Sequence, residues 1–168
     1  MEVCIPFLII IGAVIVLIAP IFIVAGVSSA RRKKFRQMII ETKQDILRRG
    51  KYFPVRYASS KKYHSFFKFF PWETSGVIYA DEREIIFFAA KIKGEQNVEL
   101  HFRRGDFTVE YVGTENFFTN GFVTWFCIKT YEDKHYFTSE TGATIFGSGT
   151  STRDIYNGLL EAVEPHQQ

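Results

Sequence analysis

The stretch that decides the fold is residues 75–87, which read Ser75-Gly76-Val77-Ile78-Tyr79-Ala80-Asp81-Glu82-Arg83-Glu84-Ile85-Ile86-Phe87. Two segments rich in β-branched and aromatic residues flank a polar Asp-Glu-Arg turn, a composition typical of a β-hairpin. This hairpin predicts a domain built from antiparallel strands.

Strand patterns continue on the C-terminal side of the hairpin. Apolar and polar residues alternate on both sides of Arg104-Gly105, as expected for two half-buried strands joined by a turn. Residues 122–130 are apolar on both faces, as a central strand would be, and a turn at Glu132-Asp133 leads into one more apolar segment. The pattern therefore predicts six or seven antiparallel strands.

One helix closes this half of the chain. Ser151 is a candidate N-cap with the acidic Asp154 three residues later, and apolar residues recur at helical spacing between residues 155 and 163. Residues 51–168 are therefore predicted to form a mainly-β domain with a C-terminal helix.

This order of elements resembles the PH-like superfold, in particular the GRAM and bacterial PH-like domains that follow a membrane anchor. The resemblance rests on residues 75–87 and on the closing helix at 154–163, and it spans residues 52–164. It implies binding of lipid headgroups or proteins rather than catalysis. The hairpin loop Asp81-Glu82-Arg83-Glu84 is acidic, however, and so departs from a phosphoinositide-binding pattern.

The N-terminal segment is predicted to be a transmembrane anchor, assigned to residues 1–30. Residues 5–27 carry no charge, and about 23 residues at ~1.5 Å each are enough to cross ~30 Å of hydrocarbon. A cleaved signal peptide is the alternative, but Glu2 and the length of the run disfavour it. The basic cluster Arg31–Lys34 predicts a single-pass protein with its N-terminus outside and its C-terminal domain cytoplasmic.

Residues 31–50 are predicted to form a basic amphipathic juxtamembrane helix that Gly50 ends. Its apolar and near-apolar positions recur at the spacing of one helical face; they are Phe35, Met38, Ile39, Thr42 and Ile46. This face would either lie on lipid headgroups or pack against the domain.

Charge is distributed unevenly along the chain. Residues 28–70 hold thirteen basic and two acidic residues, whereas residues 71–168 hold eight basic and fifteen acidic ones. Anionic lipid attracts cations near its surface, so this segment predicts a set of lipid-contact residues. The set is Arg31, Arg32, Lys33, Lys34, Arg36, Lys43, Arg48, Arg49 and Lys51. Arg103 and Arg104, on a later hairpin, are expected to contribute little. The alternative is that Arg31–Lys34 only sets topology.

Residues 51–72 interleave aromatic and basic side chains, a pattern that suits single-stranded nucleic acid, a membrane interface or ordinary core packing. Tethering below a bilayer argues against nucleic acid as a partner. We favour core packing for residues 66–70.

No pattern of reactive residues predicts a reaction. His64, His101, His135 and His166 lack metal-ligand spacing, and Cys127 falls in a predicted core strand. The Gly-Ser-Gly-Thr run at 147–150 lacks the lysine of a phosphate-binding loop. No catalytic residue, metal site or cofactor is predicted.

Together these features predict a non-enzymatic, membrane-anchored binding or scaffolding module at the cytoplasmic membrane surface. Its expected partners are the lipid bilayer, in particular anionic headgroups, and a protein in the membrane or at its face. The alternative is a small accessory subunit of a larger membrane protein complex, and an enzyme is the third class.

Overall fold

A computed structural model describes residues 30–65, 71–89, 98–114, 123–140 and 149–164. The chain divides into two compact units, Met1–Phe35 and Arg36–Gln168. The second unit, which we call the β-domain, contains every strand described below.

The β-domain is built on one antiparallel sheet that curls into a half-barrel. The seven strands are β1 (Lys51–Ser59), β2 (Thr74–Ala80), β3 (Glu84–Ala89), β4 (Val98–Arg103), β5 (Phe107–Gly113), β6 (Trp125–Thr130) and β7 (Lys134–Ser139). Their order across the sheet is β4-β3-β2-β1-β7-β6-β5. Two meanders, β1 to β4 and β5 to β7, therefore meet where β1 pairs with β7.

A tight turn joins β4 and β5, which follow each other in sequence but form opposite edges of the sheet. The Asp106 N–H donates to the Arg103 carbonyl at 3.0 Å, and Gly105 between them has a φ of 95°. Glycine takes this conformation without the steric cost that a Cβ brings. The Phe102 and Phe107 rings meet edge to face across this turn, with their centres 6.3 Å apart.

A C-terminal helix, Thr152–Val163, packs on the inner side of the sheet. Its N-terminus carries the predicted capping box, in which Ser151 and Asp154 each accept a hydrogen bond from the other's backbone N–H. Ile155 and Leu159 are fully buried against the inner apolar cluster, which includes Phe126. Alternate residues of the strands and one helical face thus form this core.

The outer side of the sheet is also covered. Next to β6 and β7 it buries a cluster made of Ala58, Tyr63, Val123, Trp125, Cys127 and Tyr136. Within this cluster the Tyr63 and Tyr136 rings stack at 3.7 Å. Tyr63 ends a one-turn helix, Ser60–Tyr63, in the connection between β1 and β2. Both faces of the sheet therefore contribute to the core.

The predicted helix over 31–49 is present but interrupted. Residues 30–42 are helical, Lys43 leaves helical geometry at φ −106° and ψ 19°, and a second helix covers Gln44–Leu47. Ile39 and Leu47 are buried, whereas Met38 is 50% exposed. From residue 36 onward this segment is part of the β-domain and packs on the rest of it, which is the second of the two arrangements left open by the sequence.

Strand β1 was not apparent from its composition because it contains Pro54 and Arg56. Pro54 pairs only with Val77 of β2, since the ladder to β7 begins one residue later at Val55. The missing N–H of proline therefore interrupts no ladder on the β7 side. Arg56 lies on the outer face, with its guanidinium 4.0 Å from the centre of the Trp72 ring.

The prediction of an N-terminal transmembrane helix requires correction. No helix within the described ranges is long and apolar enough to cross a membrane. The C-terminal helix, for example, has twelve residues, or ~18 Å at ~1.5 Å per residue, against the ~30 Å that a span needs. The structure does not support the transmembrane part of the predicted fold, nor the predicted single-pass localisation with an outside N-terminus and a cytoplasmic domain. The predicted span, residues 5–27, lies outside the described residues, as do residues 66–70 and the first two residues of the 147–150 run.

Candidate functional site: an arginine-bearing cleft

The structure divides the nine predicted lipid-contact residues into three groups. Arg31, Arg32, Lys33 and Lys34 belong to the first compact unit. Arg36, Lys43 and Lys51 belong to the β-domain and pair with its carboxylates. Arg48 and Arg49 are exposed and form no ion pair with a described residue.

The three paired cations join the N-terminal part of the β-domain to its sheet and C-terminal helix. Arg36 pairs with Glu140. Lys43 lies 2.7 Å from Glu99, and hydrogen bonding to this ammonium is the main reason that the pKa of Glu99 is lowered. Lys51 lies 2.6 Å from Glu161. Sequence reasoning did not find these pairs, because their members lie far apart along the chain.

Arg49 belongs to one wall of an open cleft of about 470 Å³ at the start of β1. Gly50 and Lys51 continue this wall, and Glu161 and Ala162 of the C-terminal helix form a second side. The third side is the β2–β3 turn, residues 80–83, whose Arg83 is exposed. Three separate parts of the chain thus converge on the cleft.

Gly50 allows these walls to approach each other. A Cβ at this position would lie 2.3 Å from the carbonyl oxygen of Ala80 and 2.9 Å from the Tyr79 ring. A Cβ atom essentially never lies within 3.0 Å of a non-bonded heavy atom, so a larger residue would push the wall away from β2. The glycine predicted to end the helix therefore also sets the width of the cleft.

The β2–β3 turn is organised by hydrogen bonds to one of its carboxylates. The Asp81 carboxylate accepts bonds from the N–H groups of Arg83 and Glu84, at 2.8 and 3.0 Å, and from the Tyr79 hydroxyl at 2.9 Å. Partial burial alone would raise the pKa of Asp81, but these bonds outweigh burial and lower it. Asp81 thus holds the turn together, and its carboxylate stays ionised.

Two more arginines adjoin the turn, although sequence reasoning placed them on a separate hairpin. The Arg104 N–H donates to the Arg83 carbonyl at 2.9 Å, and the Arg104 guanidinium approaches the Glu82 carbonyl at 3.4 Å. Arg103 pairs in register with Glu84. Arg83 and Arg104, far apart in sequence, are therefore neighbours at the same end of the β-domain as Arg49.

The other candidate reactive groups are engaged in structural contacts. Burial raises the pKa of Cys127 to about 11, and the charge of Glu110 adds to the effect. The Tyr57 hydroxyl and His135 Nδ1 are 3.1 Å apart, and burial lowers the pKa of His135. His64 lies 3.3 Å from the Tyr136 hydroxyl. Within the described part of the chain, no group of three or more metal-ligating side chains is present.

No family model, curated protein or solved structure matches this chain. Function must therefore be argued from the site alone.

Proposed function

We propose that the β-domain is a non-enzymatic binding module and that its ligands are anionic lipid headgroups. The observation that carries the proposal is that Arg48 and Arg49 remain exposed and form no ion pair with a described residue, whereas Arg36, Lys43 and Lys51 are paired. A cation near an anionic lipid surface gains about 1 kcal/mol. Unpaired arginines retain this gain, because no carboxylate must first be displaced.

The architecture also supports this class of function. The strand order β4-β3-β2-β1-β7-β6-β5 with a helix after the last strand fits the resemblance to the PH-like superfold, which implies binding rather than catalysis. Cys127 and His135 have shifted pKa values caused first by burial, as is usual for side chains packed in a core.

The test is binding of the full chain to vesicles of phosphatidylcholine with and without phosphatidylserine. Every variant keeps residues 1–29, so any contribution of these residues to vesicle binding is the same in all of them. The quantity compared is the ratio of the affinities for acidic and for neutral vesicles. We expect the double variant Arg48→Gln with Arg49→Gln to lower this ratio by up to about 30-fold, which corresponds to the loss of two cations at about 1 kcal/mol each. Raising the salt should weaken wild-type binding, because it shortens the ~8 Å Debye length.

The matched control is Lys129→Gln with Lys134→Gln, which removes the same charge from exposed residues of β6 and β7. It should change binding by less than about twofold, since these lysines lie on the β6–β7 hairpin rather than beside the cleft. Equal losses in the two double variants, or binding that ignores lipid charge, would refute headgroup binding by the arginines. Stoichiometric capture of one protein in place of vesicle binding would favour the accessory-subunit alternative.

A further inference from the structure

We infer that the cleft between Arg49 and Arg83 is a site for a single phosphate ester, with Arg83 as a ligand-contacting residue that the sequence did not suggest. This inference rests on the proposed function and specifies where one headgroup binds. Arg49 and Arg83 come from different walls of the cleft, and both are exposed. Planar guanidinium groups bind phosphate oxygens in pairs, with more geometric specificity than an ammonium group.

The formal charges that line the cleft balance, three cations against three carboxylates, so an anion would be held by the geometry of the two arginines rather than by an excess of positive charge. Of its three carboxylates, Asp81 accepts three hydrogen bonds within the turn, and Glu161 pairs with Lys51 at 2.6 Å. Glu82 is the cleft carboxylate whose side chain has no hydrogen bond or ion pair with a described residue, and Arg49 and Arg83 are the two exposed arginines of the lining. Glu82 opposes anion binding, so its neutralisation has an effect of opposite sign to the loss of Arg83.

The size and construction of the cleft suit a headgroup. Its volume of about 470 Å³ falls within the ~300–1,000 Å³ of small-molecule sites. The floor is fixed by the close approach of Gly50 to Ala80, and the Lys51–Glu161 pair closes one side. The turn that carries Arg83 is held by Asp81 from within and by the Arg104 N–H from outside. Arg83 is thus presented by a backbone that is bonded in place.

The experiment compares two probes on the full chain: sn-glycerol 3-phosphate in solution, and phosphatidylserine-containing vesicles. We expect Arg83→Gln to weaken binding of both about fivefold, the equivalent of one cation. Glu82→Gln should strengthen both by a similar factor. Arg103→Gln is the control, because Arg103 is an exposed arginine next to the same turn that does not line the cleft. It should leave binding of both probes unchanged, and an unchanged thermal midpoint of each variant shows that it folds.

The possible outcomes separate this inference from the proposed function. Equal losses of vesicle binding in Arg83→Gln and Arg103→Gln would overturn the inference of a phosphate site in the cleft. The proposed function would stand, with headgroups bound by an arginine-bearing surface instead. Saturable, Arg83-dependent binding of glycerol phosphate without a preference for acidic vesicles would support a phosphate site in the cleft. It would identify a free phosphate ester as the ligand and would contradict the proposed function. Absence of glycerol phosphate binding together with normal vesicle binding by Arg83→Gln would overturn the inference alone.

Discussion

The Lys43 ammonium group lies 2.7 Å from a carboxylate oxygen of Glu99 and 5.2 Å from the centre of the Phe88 ring. Lys43 is the residue at which the N-terminal helix is interrupted, and Glu99 and Phe88 belong to β4 and β3. One side chain therefore links the helical segment to two strands of the sheet.

This link is expected to be weak compared with the apolar contacts around it. Both partners are about one-third exposed, and such pairs contribute less than ~1 kcal/mol. Lys43→Gln should therefore lower the free energy of unfolding by under ~1 kcal/mol, and less in high salt. Ile39→Ala, at a position that is 8% exposed, should cost ~2 kcal/mol or more at any salt concentration. Urea unfolding of both variants checks this order, and a salt-sensitive loss in Ile39→Ala would contradict it.

Trp125 and Phe126 are neighbours on β6 that point to opposite sides of the sheet, and both are fully buried. Trp125→Ala or Phe126→Ala should each lower the free energy of unfolding by about 3–5 kcal/mol. Tyr131→Ala, at a fully exposed turn position, should change it by less than ~0.5 kcal/mol. Thermal unfolding measures all three, and an unmoved midpoint in either core variant would show that one face of the sheet is not a core.

The turn carboxylate of Asp81 should make stability depend on acid pH. Its pKa is lowered below the ordinary value of 3.8, so the unfolded chain binds the proton first. The contribution to stability is therefore complete above about pH 5 and is lost as the pH falls through the folded-state pKa. Asp81→Asn keeps the hydrogen-bond acceptor but not the charge, and its thermal midpoint should fall less steeply than that of the wild type between pH 5 and pH 2. Parallel curves would contradict this role for Asp81.

Cys127 should be almost unreactive in the folded chain. Its pKa of about 11 leaves on the order of 100-fold less thiolate at neutral pH than an ordinary cysteine has. Labelling followed by mass spectrometry of the peptide that contains Cys127 should be at least that much slower in buffer than in denaturant. Glu110→Gln should speed the folded-state reaction, because the Glu110 carboxylate lies 3.9 Å from the Cys127 sulfur. Equal rates in buffer and denaturant would show that β6 is open to solvent.

Local sequence patterns were sufficient for elements that carry their own signals. The β2–β3 hairpin has two apolar segments around a polar turn, and the C-terminal helix has its capping box at Ser151. Strand β1 has no such signal, since Pro54 and Arg56 disguise it and only its pairing with β2 and β7 makes it a strand. Local composition does not reveal pairing between distant segments.

The same limit applied to the candidate site. The number of charges along the chain was enough to find the cationic segment. It did not show that Lys43 pairs with Glu99, or that Lys51 pairs with Glu161, because both carboxylates lie in later elements. Nor did the sequence place Arg83 beside Arg104, because the two turns meet only when β3 pairs with β4, with Glu84 opposite Arg103. Both facts depend on contacts between segments that are distant in sequence.

The pairing of β1 with β7 has a consequence for how the domain folds. Among the described strands, every other ladder joins neighbours in sequence, so each meander assembles through local contacts. The β1–β7 ladder, in which Val55 pairs with Ser139, alone requires the two ends of the domain to find each other. Non-local ladders form slowly because loop-closure entropy is lost before their contacts stabilise the chain. During synthesis, the β1–β4 meander is therefore complete while β1 still exposes its β7-facing edge, and the domain closes only when residues 134–139 arrive.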